Sequence, residues 1–282
     1  MPHTGHISPE AMAAGLAGSP RLDSIEFCFQ DEVFHSDRTP LPPVTRTVLP
    51  ALTSFSFSGV TTYLEDLVAR MDCPQLNRIR ITYTRSTGHV DFQVSQLFKF
   101  INLSEDPRLT HFRWADVCFQ VADSHSGTCL NLYHEPNDGY GVDISLYSKE
   151  RSVPHLMQLL GEFSAMLSDV PHLSILPLGL GQQMGHSECV QVLRLFTAAQ
   201  TLYVYGYHAR EFALELEAVD RETVAGLLPA LDLVCLDSDS GGPRRQEIHI
   251  PKFDAARRLS GLPITIVENP RELYEIRLSY DK

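Results

Sequence analysis

Apolar residues recur along the chain as an apolar-x-x-apolar-x-apolar pattern. It is found at Leu22/Ile25/Phe27, Leu52/Phe55/Phe57, Leu76/Ile79/Ile81, Leu109/Phe112/Trp114, Leu173/Leu176/Leu178, Ala199/Leu202/Val204 and Leu231/Val234/Leu236. Each copy has strand character, because alternation with period two, carried by β-branched and aromatic residues, suits a pleated surface buried on one side. Successive copies start about 30 residues apart, except that the gap between Leu109 and Leu173 is about two ordinary intervals. A degenerate copy is therefore expected near position 141, where Val142, Ile144 and Leu146 alternate. Between the strands, apolar residues at three- and four-residue spacing predict helices: Tyr63, Leu64, Leu67, Val68 and Met71; Leu156, Leu159, Leu160, Phe163 and Leu167; Val190, Leu193 and Phe196.

Strand, helix and strand again at this period predict an α/β fold of the leucine-rich-repeat kind: a horseshoe solenoid with parallel strands on its concave face and helices on its convex face. The repeats run slightly longer than the usual ~20 to 29 residues. The expected organisation is a single domain over 1–282, with about eight irregular repeats. Leu130 and Leu132 alternate, a turn-rich run follows from His134 to Gly141, and alternation returns from Val142 to Tyr147. That predicts a hairpin over 129–147, with a linker between two domains as the alternative. The Pro-rich run from Thr39 to Val44 reads as a surface loop. Ser8, Pro9 and Glu10 make a helix start leading into the first strand. Phe253–Leu259 reads as a short helix and Pro263–Val267 as a last strand, followed by a polar tail over 268–282.

Composition narrows the function classes. Against 35 Asp and Glu stand 23 Lys and Arg, a formal charge of -12, which disfavours nonspecific attraction to nucleic acid or to an anionic membrane. Met1 to Pro9 carries neither a basic nor an apolar signal region, and no run approaches the ~20 apolar residues of a spanning helix. The six cysteines are scattered singly without CxxC spacing, which reads as thiols in a reducing compartment, cytoplasmic or nuclear.

Three motifs suggest chemistry and are outweighed. Asp239-Ser-Gly-Gly-Pro243 matches the nucleophile segment of trypsin-like proteases, but Ser238 stands where a Gly precedes it there. No histidine has the expected context, and alternating strands and helices do not build the two β-barrels that such a protease needs. A hydrolase centred on Ser240 remains a minor alternative. His111, Cys118, His125, Cys129 and His134 crowd one stretch without the paired spacing of a zinc site, so no metal is expected. Gly179-Leu-Gly-Gln-Gln-Met-Gly185 places its third glycine one residue late for a dinucleotide fingerprint and lacks the distant acidic residue, so no cofactor is expected.

The residues alternating with the buried ones form a stripe containing Glu26, Ser56, Arg78, Arg80, His111, Arg113, Ser145, Tyr203 and Tyr205. A merely solvated face is one reading. The other is a partner-binding surface made of Arg78, Arg80, His111, Arg113, Tyr203 and Tyr205, since arginine and tyrosine are enriched at interface hot spots. If the strands follow one another in the sheet, Arg78, Arg80 and Arg113 fall within ~5 to 10 Å, a basic patch suited to an acidic or phosphorylated protein segment.

The runs Arg46-Thr-Val-Leu-Pro-Ala-Leu-Thr-Ser-Phe-Ser-Phe57, Tyr63-Leu-Glu-Asp-Leu-Val-Ala-Arg-Met-Asp72 and Ala255-Ala-Arg-Arg-Leu-Ser-Gly-Leu-Pro263 resemble F-box/leucine-rich-repeat proteins of mushroom-forming fungi. The likeness covers about Ile7 to Val267 and rests on packing and turn residues. It implies a noncatalytic protein-binding module, the substrate-recognition part of a ubiquitin-ligase receptor. The F-box that precedes the repeats in that family is not read in this sequence, so binding to a ubiquitin-ligase adaptor is expected only with an upstream F-box. A truncated gene model with no independent function is the other alternative.

Overall fold

The computed structural model describes residues 7–29, 46–84, 94–122, 125–135, 139–148, 153–178, 186–205, 209–237 and 249–268. In chain order its elements are α1 (Pro9–Leu16), β1 (Ser24–Cys28), β2 (Thr47–Val48), β3 (Ser54–Gly59), α2 (Thr61–Val68), β4 (Met71–Asp72), β5 (Arg78–Thr84), α3 (Ser95–Asn102), α4 (Pro107–Thr110), β6 (Trp114–Ala122) and β7 (His125–Tyr133). They continue with β8 (Gly141–Ser148), α5 (Val153–Glu162), α6 (Ser164–Leu167), β9 (His172–Leu178), α7 (His186–Leu193), β10 (Thr201–Tyr205), α8 (Ala209–Glu217), α9 (Arg221–Gly226), β11 (Leu233–Asp237), α10 (Pro251–Leu259) and β12 (Thr265–Glu268). The fold is α/β. Among the described residues ten strands form one sheet in the order β1-β3-β5-β8-β7-β6-β9-β10-β11-β12, and β2 pairs with β4 in a small second sheet.

The large sheet is parallel except at β7, which runs antiparallel to both β6 and β8. After β5 the chain crosses to β6, steps back through β7 to β8 beside β5, and then crosses again to place β9 on the far side of β6. One long interval of sequence thus contributes a three-strand meander. The expectation that the strands bearing Arg78 and Arg113 are neighbours is corrected here: β8 and β7 lie between β5 and β6.

Alternation decides what is buried. Ile25, Phe55, Ile79, Val142, Leu132, Ala115, Leu173, Leu202 and Val234 are register partners across successive strands, and all are buried. They merge with helical residues such as Leu64, Leu67, Leu97, Leu159, Cys189 and Leu216 into one apolar cluster, so the helices cover this face. The second face carries the alternate residues, among them the exposed Glu26, Arg78 and Arg80. At two strands the expected frame is wrong by three residues. Phe112, Ala115 and Val117, not Leu109, Phe112 and Trp114, take the places of Leu76, Ile79 and Ile81. Likewise Val170, Leu173 and Ile175 supersede Leu173, Leu176 and Leu178.

Helix ends are tied to neighbouring elements. The first helix is capped locally, Ser8 Oγ accepting from the Ala11 N–H at 3.2 Å. At α3 and α10 the N-cap positions are Val94 and Ile250, which have no oxygen to offer. Glu65 of α2 accepts from the Gln96 and Leu97 N–H groups at 2.7 and 2.9 Å, and Glu217 of α8 accepts from those of Lys252 and Phe253 at 2.8 and 3.0 Å. Burial holds the Glu65 carboxyl above its ordinary value, against the opposing pull of those two N–H groups.

Arg257 is fully buried within α10. Its guanidinium donates to the carbonyls of Leu227, Leu228 and Leu231 at 3.0, 3.0 and 2.8 Å, satisfying the backbone after α9, where Leu228 turns through a φ of 49°. Arg257→Met, which keeps the apolar stem but orphans three carbonyls, is expected to lower the unfolding free energy by about 3 kcal/mol. Glu217→Ala is expected to cost about 1 kcal/mol, the worth of a helix cap. Urea titration followed by circular dichroism measures both, and equal effects would show that Arg257 is not the anchor argued here.

Candidate functional site

The second face of the sheet is polar at its flank and aromatic at its middle. Tyr133, Trp114 and His172 are register partners on β7, β6 and β9, so their rings stand side by side across three strands. The Trp114 ring lies 6.4 Å from Tyr133 at an interplanar angle of 5°, and 4.3 Å from His172 at 27°. Tyr203, on β10, lies 5.4 Å from Trp114 at 31°. The register puts Ser174 between Asp116 and Tyr203, and this small, fully buried residue leaves room for the two larger rings to meet. Stacked rings hold one another in place, an arrangement worth about 1 kcal/mol per pair beyond area burial.

A polar row runs beside the rings. Arg80, Asp143, Asn131 and Asp116 are successive register partners on β5, β8, β7 and β6. Arg80 Nε lies 3.5 Å from Asp143 Oδ2. With its carboxamide turned to satisfy the network, Asn131 donates to Asp143 Oδ1 at 3.2 Å. Tyr133 Oη donates to Asp116 Oδ2 at 2.8 Å, tying the polar row to the rings. Burial raises the Asp143 carboxyl above its ordinary value, opposed by the nearby Arg80. Burial lowers His172 below the ordinary histidine value, and the positive charge of Arg113 adds to this.

The structure places the stripe residues as follows. Arg78 and Arg80 project from β5, and Arg80 is neutralised by Asp143, a partner that reading each strand alone does not reveal. His111 and Arg113 are exposed but precede β6 instead of alternating within it. Arg113 bridges strands through its backbone, its N–H donating to Tyr133 O at 3.0 Å and its carbonyl accepting from the His172 N–H at 3.1 Å. Tyr203 joins the ring cluster; Tyr205 ends β10, opposite Asp237 on β11. The expected patch of Arg78, Arg80 and Arg113 is thus divided by two strands. Trp114, Tyr133, His172, Asp116 and Asp143 take its place as the centre of this face, and Trp114 was hidden because its size read as core. Ser240 and the segment 179–185 fall outside the described residues. So does the Pro-rich run of 39–44. Among the described residues no group of three or more His, Cys, Asp and Glu could hold a metal ion, and no helix is long and apolar enough to cross a membrane.

Comparison with protein-family models, with curated proteins and with solved structures gives no match.

The lowered His172 value fixes a pH dependence. As pH falls through the ordinary histidine value of 6.5, the unfolded chain takes up a proton that the folded His172 refuses, so stability declines until the folded value is also passed. His172→Phe keeps a stacked ring and removes the proton. Chemical denaturation at several pH values is expected to show a shallower acid-side decline in this variant. An unchanged slope would mean that His172 titrates alike folded and unfolded.

Proposed function

We propose that the chain is a noncatalytic protein-binding module whose partner docks on the polar face of the sheet, centred on Trp114. The observation that carries this reading is the partly exposed ring cluster of Trp114, Tyr133, His172 and Tyr203, bordered by Arg80, Asp143 and Asp116. Tryptophan, tyrosine and arginine are the residues that dominate interface energetics, and here their positions are set by neighbouring strands before any partner arrives. Fold maintenance alone does not require them, because the opposite face already holds the continuous apolar core.

The finer fold reading belongs with this proposal: a leucine-rich-repeat-like solenoid in which the polar face is the concave one. It is supported by the parallel strands at repeat-like intervals and by helices between them. The resemblance to fungal F-box receptors extends it to a substrate-recognition role in a ubiquitin ligase, in the cytoplasm or nucleus, with binding to the ligase adaptor only if an F-box precedes it. The mixed charge of the row from Arg80 to Asp116 favours a partner segment of mixed polarity over a purely acidic one, and the rings beside it offer a place for an aromatic side chain.

A photo-crosslinking residue placed at Tyr203 is expected to trap a protein partner in cells, whereas the same residue at Arg210, on the exposed side of α8, is not. Trp114→Ala combined with Arg80→Glu should reduce capture at least about tenfold, the loss typical of one interface hot spot, with the circular dichroism spectrum unchanged. Equal trapping from both positions, or capture that survives the double substitution, would place the interface elsewhere.

A further inference from the structure

Two cysteines face each other on the meander. Cys118 of β6 and Cys129 of β7 are direct register partners in an antiparallel pair, so their side chains leave the same face of the sheet. That face is the polar one, for Cys129 is in turn the partner of Ser145 on β8. Both are thiols, Cys118 buried and Cys129 half-buried. Directly opposed residues of antiparallel strands have Cα atoms about 4.5 or 5.5 Å apart, depending on the hydrogen-bonding position. Both spacings lie within the ~4.4 to 6.8 Å that a disulfide spans. Their Cβ atoms, about 4.5 to 5.5 Å apart, need to close by ~1 Å or less to reach disulfide geometry.

We propose that Cys118 and Cys129 form a reversible, peroxide-sensitive disulfide that staples β6 to β7. The half-buried Cys129 meets the oxidant and the buried Cys118 resolves it. The Cys129 thiolate attacks one oxygen of hydrogen peroxide, and the O–O bond breaks. The departing hydroxide takes the thiol proton and leaves as water, and Cys129 becomes a sulfenic acid. The Cys118 thiolate then attacks that sulfur. The S–O bond breaks, and hydroxide leaves with the Cys118 proton as a second water. Two thiols and one peroxide thus become one disulfide and two waters. Thiol–disulfide exchange with a cellular dithiol reverses the step.

The other cysteines sharpen the assignment. Burial pushes the thiols of Cys73 and Cys189 up to about 12 and that of Cys235 up to about 11, and among the described residues none of the three has a cysteine opposite it on a neighbouring strand, as Cys118 has. Cys28 is exposed on the edge strand β1, far from the meander in the sheet order. The proposal does not depend on the binding reading of the polar face.

The experiment treats the full chain with stoichiometric hydrogen peroxide, alkylates the remaining thiols and maps peptides without reduction. The expected product is a monomer two hydrogens lighter, with residues 118 and 129 in one linked peptide, and dithiothreitol restores both thiols. In Cys118→Ser the link is lost and dimedone traps a sulfenic acid at Cys129. The proposal is overturned if both thiols remain fully alkylatable at a peroxide dose that oxidises Cys28. It is equally overturned if wild-type Cys129 stops at a sulfur oxyacid without forming the link. The wild-type map decides the matter even if the serine variant does not fold.

Discussion

The strands of the large sheet must bury the face that they turn to the helices. The row from Ile25 across to Val234 meets this demand at a single level of the sheet, one residue per strand, and helix side chains close over it from one side. Because the rows are in register, shifting any strand by one residue would turn its apolar residues outward and its polar ones into the core. Backbone bonds at the strand entries hold that register: Asn77 and Arg78 N–H to Thr53 O, Gly141 N–H to Asn77 O, His172 N–H to Arg113 O, Leu233 N–H to Gln200 O. Relieved of packing against helices, the second face is able to carry charges and rings.

Local pattern made much of this visible. The strands at Ile25, Phe55, Ile79, Leu202 and Val234 sit in the frame that the apolar spacing predicts, and the alternation of Val142, Ile144 and Leu146 belongs to β8. Strand order was not visible, because nothing local records that β8 returns to β5 while β6 waits for β9. The frame failed at β6 for a specific reason: Ala115 is small and inward, while Trp114 is large and outward. A rule that equates size with burial therefore picks the wrong residue. Trp114 is at home outside because Tyr133 and His172 cover its faces. That cover comes from β7 and β9, not from the residues beside Trp114 in the chain.

Coupling between successive units comes from helix ends as well as from the sheet. Where a helix begins on Val94 or Ile250, its orphan N–H groups are met by a glutamate from another helix, and the last helix answers with Arg257, which satisfies carbonyls beyond α9. Each such bond requires the neighbouring element to be in place already. A sequence scan for Ser, Thr, Asp or Asn at the cap position misses these starts, and that is why α3 and α10 look uncapped when read locally.

The meander concentrates what is distinctive about the molecule. Regular strand-helix alternation repeats nearly equivalent positions, so it offers little to distinguish one stretch of the polar face from another. Inserting β7 antiparallel between two strands of the common direction changes that. It brings Tyr133 alongside Trp114, Asn131 between Asp143 and Asp116, and Cys129 opposite Cys118. Antiparallel pairing puts side chains directly opposite one another, the geometry that both the ring contact and a cysteine pair need. The Trp114–Tyr133 contact and the thiol pair thus have one structural cause. Removing the reversed strand would abolish both while leaving the apolar pattern of the remaining repeats intact.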